Sequence, residues 1–174
     1  MWLLLPIILL NLNGMTLFDF TPGSDISDWR VVNDTVMGGV SSGQFQLNEA
    51  GHGEFSGHVS LENNGGFSSL RYDLPTVRVA DYKTAVIRLR GDGKTYQFRV
   101  KSTDAERFSY VNEFTTSGEW EEIEIDLGNL YPQFRGQRLR RPNYPGETLS
   151  EVAFLIGNKK EQDFRLEIDW IRLR

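Results

Sequence analysis

The chain of 174 residues is long enough to bury one substantial hydrophobic core, and its 39% hydrophobic and 25% charged residues are typical of a folded globular protein. Its formal net charge of −5 argues against a nucleic-acid partner, because phosphate binding needs a basic surface. The absence of cysteine excludes disulfides, thiolate catalysis and cysteine-based zinc sites.

The N-terminal segment of residues 1–14, MWLLLPIILLNLNG, differs in composition from the rest of the chain. Its apolar run is shorter than the roughly 20 residues of a membrane-spanning helix, so we predict no integral membrane span. The run is similar to the apolar region of an export signal, without the basic start or the small-residue cleavage site. Three interpretations stay open: a degenerate export or anchor signal, a start assigned upstream of Met15, and a structural element. The compartment is cytoplasmic, periplasmic or membrane-associated depending on which applies.

From residue 15 to residue 174 the sequence predicts a single domain of β-strands, because apolar and polar residues alternate with period two. In TAVIRLRG, Ala85, Ile87 and Leu89 share one face, and Arg88 and Arg90 share the other. Short turn sequences such as GDGK and TSGE separate the runs. This pattern predicts an all-β fold, a jelly-roll β-sandwich of antiparallel strands. The predicted strands cover residues 16–20, 43–47, 54–61, 68–73, 84–91, 95–102, 108–114, 120–127, 152–157 and 164–173.

Charged side chains point outward from several of these strands. We expect the strands with Arg88 and Arg99 to be neighbours, and Glu122, Glu124 and Asp126 to face outward from a third strand. If the third strand is adjacent, cross-strand ion pairs contribute roughly 0.2–1 kcal/mol each. Otherwise the charges line a polar groove of the kind on which related jelly rolls hold sugars.

The segment of residues 128–150, which contains three prolines and several arginines, interrupts the alternation and predicts a long loop. It is either a solvated cover over one edge of the sandwich or a functional loop.

The stretch VVNDTVMGGVSSGQF contains Gly39-Val40-Ser41-Ser42-Gly43, the G-x-S-x-G pattern of a hydrolase nucleophile elbow. Such an elbow needs a helix after the serine and a histidine base, but an alternating strand follows Ser41. The only histidines, His52 and His58, have no spacing that aims either of them at Ser41. We therefore predict no catalytic residues and no enzyme activity.

No histidine spacing is typical of a transition-metal site, and we predict no cofactor. A weak calcium candidate is the pair Asp19 and Asp169, which lie on the first and last predicted strands and could meet where the sandwich closes.

Two similar segments, GGVSS at residues 38–42 and GGFSS at residues 65–69, each place paired glycines before an apolar residue and two serines. Glycine permits a positive φ or a close backbone approach, and serine can bond to the turn. The two segments are either sharply turned strand entries or two loops that form one polar surface.

The runs WRVVNDTVMGGVSSG and FSGHVSLENNGGFSSLR, with the later FRGQRL and FRLEIDWIRL, resemble the complex I intermediate-associated protein 30 family in sequence and in order. The resemblance extends from residue 17 to residue 174. It implies a jelly roll related to galactose-binding and carbohydrate-binding modules. It also implies a chaperone-like role in assembling respiratory NADH:ubiquinone oxidoreductase, with respiratory-complex subunits or assembly intermediates as protein partners.

On this resemblance we predict a partner-binding surface in three segments. Its residues are Asp34, Gly38, Gly39, Ser41, Asn63, Asn64, Gly65, Gly66, Arg135 and Arg138. The alternative is a carbohydrate-binding module with a glycan ligand, which needs exposed aromatic rings. Tyr110, Tyr131 and Tyr144 are the candidates for that platform, with Tyr110 open to a second interpretation as a core residue.

Overall fold

Alternating apolar and polar residues produce thirteen antiparallel strands in the computed structural model, which describes residues 14–174. The strands are β1 (Met15–Asp19), β2 (Trp29–Asn33), β3 (Ser42–Leu47), β4 (Gly53–Val59), β5 (Ser68–Arg78), β6 (Thr84–Arg90), β7 (Thr95–Lys101), β8 (Ser109–Thr115), β9 (Trp120–Asp126), β10 (Tyr131–Phe134), β11 (Gln137–Arg138), β12 (Thr148–Ile156) and β13 (Gln162–Leu173).

The strands form two sheets that pack face to face. The six-stranded sheet has the order β3-β4-β13-β6-β9, and β1 also pairs with β13. The seven-stranded sheet has the order β11-β10-β8-β7-β12-β5-β2. The prediction of an all-β jelly-roll sandwich of antiparallel strands is confirmed.

The core lies between the two sheets and is built from the apolar face of each strand. Ala85, Ile87 and Leu89 of β6 are fully buried, as their alternation predicts. In the opposite sheet the rings of Phe98 and Phe154 pack with their centroids 5.8 Å apart. Burying a large apolar side chain of this kind stabilises the fold by about 1.5–3 kcal/mol.

One expectation about strand order and one about a loop turn out differently. β6 pairs with β9, as the cross-strand interpretation of their charges requires, but β6 and β7 belong to different sheets and are not neighbours. The short connection between them crosses the sandwich, and turn residues alone do not show which sheet the next strand joins. The segment of residues 128–150 is not all loop, because it contains β10 and β11.

Helical structure within residues 14–174 consists of short 3-10 turns at Asp34–Met37, Glu62–Asn64 and Leu127–Asn129. In this part of the chain no helix has the length and apolar character that crossing a membrane requires. The apolar segment of residues 1–13, on which the interpretations of the N-terminus depend, lies outside the described residues.

Candidate functional site

Two loops cross from one sheet to the other at the same edge of the sandwich. Residues 34–41 lead from β2, the last strand of the seven-stranded sheet, to β3, the last strand of the six-stranded sheet. Residues 60–67 lead back from β4, which pairs with β3, to β5, which pairs with β2. We call these two loops the crossover pair. They contain eight of the ten residues that the sequence predicts for partner binding.

The Asp34 side chain joins the two loops. Its Oδ1 accepts a hydrogen bond from the Ser41 backbone N–H at 2.9 Å, and its Oδ2 accepts one from the Ser41 hydroxyl at 2.5 Å. The same Oδ2 accepts the backbone N–H groups of Gly66 at 2.6 Å and Phe67 at 3.2 Å, from the other loop. Asp34 is only 1% exposed, so its carboxylate acts within the protein, where it holds the two loops together.

The charge state of Asp34 follows from these contacts. Burial by itself would raise the pKa of the Asp34 carboxyl, because a low dielectric disfavours the charged form. The hydrogen bonds from the Ser41 hydroxyl and from the three backbone amides outweigh burial, and they hold the pKa below its ordinary value. Asp34 is therefore a carboxylate at neutral pH.

Ser41 has a structural role in the same junction. It is 2% exposed, and its hydroxyl donates to Asp34 and accepts the Ser60 backbone N–H at 2.9 Å. One residue before the Asp34 junction, Asn33 Oδ1 accepts the Ser68 hydroxyl at 2.6 Å and the Gly43 N–H at 3.1 Å. The hydroxyl of Ser41, the serine of the G-x-S-x-G pattern, is therefore engaged in the loop junction. Its hydrogen-bond partners among the described residues do not include a histidine.

Glycine is required where the loops pass closest to Asp34. A Cβ atom on Gly39 would overlap the Asp34 carboxylate, and one on Gly65 would lie 2.5 Å from Asp34 Oδ2. The two GG motifs therefore bracket one carboxylate from two sides. Gly38, Asn63 and Asn64 lie at the exposed turns of the same loops with positive φ angles of 89°, 56° and 58°.

The crossover pair also exposes apolar side chains that were not predicted from the sequence. They are Val36 at 71%, Met37 at 57%, Val40 at 47% and Leu61 at 41% exposure. We call these four residues the apolar loop cluster. Val40 directly precedes Ser41 and Leu61 directly follows Ser60, and Ser41 and Ser60 are hydrogen-bonded to each other, so the junction brings apolar side chains of both loops to one edge. The sequence signal for this cluster was the apolar pair Val36-Met37, which lies in a turn sequence without the alternation of a strand.

Arg135 and Arg138 lie apart from the crossover pair. Arg135 lies in the turn between β10 and β11, and Arg138 lies in β11, at the opposite edge of the seven-stranded sheet from β2, six strand spacings of about 4.8 Å away. The Arg138 guanidinium covers the Tyr131 ring at 4.6 Å, and the Arg135 guanidinium lies 5.3 Å from the Phe134 ring. The structure thus divides the predicted contact residues between two edges.

Asp19 and Asp169 lie close in the sheet, since Asp19 of β1 pairs with Trp170 of β13. The Asp169 carboxylate accepts from Arg88 Nε at 3.0 Å, and the Asp19 carboxylate lies 4.0 Å from an Arg172 nitrogen. Both charges therefore face guanidinium groups, and residues 14–174 contain no cluster of three or more side chains suited to a metal ion.

The tyrosines considered for a sugar platform are mostly core residues. Tyr110 is 7% exposed and Tyr144 is 4% exposed, and their rings pack 5.2 Å apart. Tyr131 is half-buried on the outer face of the seven-stranded sheet beneath Arg138.

Comparison with solved structures defines the class of fold. The family 11 carbohydrate-binding module of a cellulosomal cellulase from Clostridium thermocellum superposes with a TM-score of 0.65 at 16% identity, covering 92% of this chain and 94% of the module. The same type of module in complex with a β-1,3-1,4-mixed-linked tetrasaccharide gives a TM-score of 0.64 at 18% identity, covering 92% of this chain and 95% of the module. The fold is that of galactose-binding-like carbohydrate-binding modules.

Comparison of sequences defines the family. The model of the complex I intermediate-associated protein 30 family matches residues 18–168, so the chain belongs to that family. A curated relative, the mitochondrial complex I intermediate-associated protein 30 of Mus musculus, is 24% identical over 88% of this chain. The match spans 54% of the mouse protein, so the chain corresponds to about half of that relative.

Proposed function

We propose that this chain is a non-enzymatic, protein-binding assembly factor with chaperone-like activity, and that its apolar loop cluster contacts a subunit or assembly intermediate of respiratory NADH:ubiquinone oxidoreductase. Membership of the complex I intermediate-associated protein 30 family supports the choice of partner. The mouse relative's name associates that protein with an intermediate of complex I.

The observation that carries the proposal is the concentration of exposed apolar surface. Five large hydrophobic residues are exposed within residues 14–174, and four of them form the apolar loop cluster. A cluster of exposed apolar side chains on a soluble domain is typical of a protein-binding site. Asp34 supports the cluster from below, so the side chains are presented on ordered loops and less conformational entropy is lost on binding.

Arg135 and Arg138 form a candidate second contact at the other edge of the seven-stranded sheet. Both are exposed, and arginine is well suited to bidentate contacts with a partner's carboxylates. A binding role is also more consistent with the site than catalysis, because the Ser41 hydroxyl is engaged by Asp34 and Ser60.

The test is affinity purification of the tagged protein from its native cells after mild crosslinking, with mass spectrometry of the recovered proteins. Val36→Glu/Met37→Glu places charges on the two most exposed residues of the cluster without touching Asp34. The matched control is Ala50→Glu/Ala80→Glu, which introduces two charges at exposed positions outside both candidate contacts.

We expect the wild type and Ala50→Glu/Ala80→Glu to recover subunits of the respiratory complex and Val36→Glu/Met37→Glu to lose them. Equal recovery by all three proteins would refute the apolar loop cluster as the contact. Recovery of no respiratory subunit by the wild type would refute the proposed partner.

Glycan binding is the second candidate, because the similar folds include a module in complex with a tetrasaccharide. The polar outer face of the seven-stranded sheet, with Gln97, Gln133 and Tyr131, would be its location. Calorimetric titration against a broad set of neutral oligosaccharides tests it, and flat titrations would reject it.

A further inference from the structure

Two arginines, Arg71 and Arg99, lie at the same level on the outer face of the seven-stranded sheet, and we call them the arginine pair. Arg71 of β5 and Arg99 of β7 both pair with Ala153 of β12, one from each side. Their Cα atoms are therefore two strand spacings apart, about 10 Å, which two extended arginine side chains can bridge. The side chain between them on β12 is the small Ala153, which is 2% exposed.

Neither guanidinium has a carboxylate within 4.0 Å among residues 14–174. Arg71 Nε donates to the Ser69 hydroxyl at 3.3 Å. Arg99 Nη1 donates to the side-chain carbonyl oxygens of Gln97 at 2.9 Å and Gln133 at 3.3 Å. These partners are neutral, so neither positive charge is compensated by an ion pair in this part of the chain.

The nearby carboxylate, Glu151, is already engaged. It lies on β12 two residues from Ala153, and it accepts Arg30 Nη2 at 3.2 Å. Arg30 also binds Asp73, with Nε donating at 2.7 Å. Together with Lys101 these side chains line a shallow cavity of about 320 Å³ beside the arginine pair.

Folding makes the charged state of both arginines less favourable. Burial, followed by repulsion from Arg71, lowers the pKa of Arg99 to about 10. Burial also lowers the pKa of Arg71; attraction by Glu151 offsets part of this shift, and repulsion from Arg30 adds to it. Both groups stay protonated at neutral pH, and an anion placed between them would relieve the desolvation and the repulsion together.

We infer that the outer face of the seven-stranded sheet holds an anion-binding site in which Arg71 and Arg99 clamp a carboxylate of an acidic peptide segment of a protein partner. Guanidinium groups suit this task, because each presents a planar fork of N–H donors that matches a carboxylate. Gln97 and Gln133 orient the Arg99 fork. The site is separate from the apolar loop cluster, and it does not depend on the function proposed for that cluster.

A peptide suits the face better than an acidic sugar. Sugars are held mainly on open aromatic rings, whereas Tyr131, which lies on this face beside Gln133, is capped by the Arg138 guanidinium. A sheet face that carries charged forks suits an extended chain with acidic side chains.

The experiment is isothermal titration calorimetry with a hexaglutamate peptide at low ionic strength, with polygalacturonate as a second probe. Arg71→Gln/Arg99→Gln removes the clamp. The matched control, Arg88→Gln/Arg174→Gln, removes two positive charges from arginines that are paired with Asp169 and Glu124 on the six-stranded sheet.

We expect hexaglutamate to bind the wild type and the control variant, and to bind Arg71→Gln/Arg99→Gln at least about tenfold more weakly. Equal weakening in both double variants would reduce the effect to net charge and overturn the site. No binding to the wild type would overturn it as well. Binding of polygalacturonate but not of hexaglutamate would replace the peptide with an acidic glycan.

Two further controls keep the outcome clear. The single variant Arg71→Gln applies the same test if the double variant fails to fold. Val36→Glu/Met37→Glu should bind hexaglutamate as the wild type does, so the site and the proposed function can fail independently.

Discussion

The crossover pair, with Asp34, and the arginine pair, Arg71 and Arg99, differ in how the surrounding residues stabilise a partly or fully buried charge. In the crossover pair, four hydrogen-bond donors stabilise the Asp34 carboxylate, and its pKa lies below the ordinary value. On the outer face of the seven-stranded sheet, Arg71 and Arg99 have only neutral partners among the described residues. The pKa shift of Asp34 favours its charged form and stabilises the fold, whereas burial disfavours the charged forms of Arg71 and Arg99 and costs stability.

The outer face of the six-stranded sheet shows that this chain can pair its arginines. Arg90 Nε donates to Glu167 at 2.7 Å, and Arg88 Nε donates to Asp169 at 3.0 Å. Both arginines also lie over the Trp120 ring, at 5.3 and 5.4 Å. The missing carboxylate at Arg71 and Arg99 is therefore a local property of one face.

The largest effect should come from Asp34→Ala. The substitution leaves the buried N–H groups of Ser41, Gly66 and Phe67 without an acceptor, and we expect it to lower the free energy of unfolding by about 3 kcal/mol. Urea denaturation measures the change. Glu49→Ala, at an exposed carboxylate, is the control and should lie near the wild type. A loss of less than about 1 kcal/mol for Asp34→Ala would mean that the junction does not hold the loops.

The next effect is that of Gly65→Ala. The new methyl group would lie 2.5 Å from Asp34 Oδ2, so the loop must shift and its hydrogen bonds weaken. We expect a loss of about 2 kcal/mol in the same denaturation experiment. Gly23→Ala is the matched control, because no atom lies within 4 Å of its added Cβ. Equal stability of the two variants would contradict the close packing around Asp34.

The arginines provide the sharpest contrast between the paired and the unpaired face. Arg90→Met leaves Glu167, which is 4% exposed, without its closest cation and should lower stability by about 2 kcal/mol. Arg99→Met removes a desolvated charge that has no carboxylate partner, and should change stability by less than about 0.5 kcal/mol or raise it slightly. Thermal and urea unfolding of the two ligand-free variants measure the difference. Similar losses in the free energy of unfolding would contradict the contrast between the paired and the unpaired face.

The smallest effect is a pH dependence. The pKa of Asp34 is lower in the folded protein than in the unfolded chain, where it is about 3.9. Its carboxylate therefore stabilises the fold above the unfolded pKa, and this contribution is lost as the pH falls through the folded pKa. The stability difference between wild type and Asp34→Asn should narrow as the pH drops from 5 towards 3. A difference that stays constant over that range would show that protonation of Asp34 does not affect the junction.

Part of the candidate site was accessible from sequence. The two GG motifs indicated paired glycine loops, and the structure brings these loops together around one residue. The motif could not show that Asp34 faces inward, because a turn sequence favours aspartate equally for capping and for solvent exposure. The arginine pair was out of reach for another reason: Arg71 and Arg99 meet only because β5 and β7 both pair with β12, and strand order is not encoded in local alternation.

By itself the sequence determined the all-β class, the inward face of strands such as β6, and the family, because period-two alternation and long local motifs are properties of contiguous residues. Only the tertiary structure decided that β6 and β7 separate into different sheets and that Arg135 lies at the opposite edge from Asp34. It also decided that the tyrosines Tyr110 and Tyr144 fill the core. These outcomes depend on contacts between residues far apart in the chain, which form only when the two sheets close on each other.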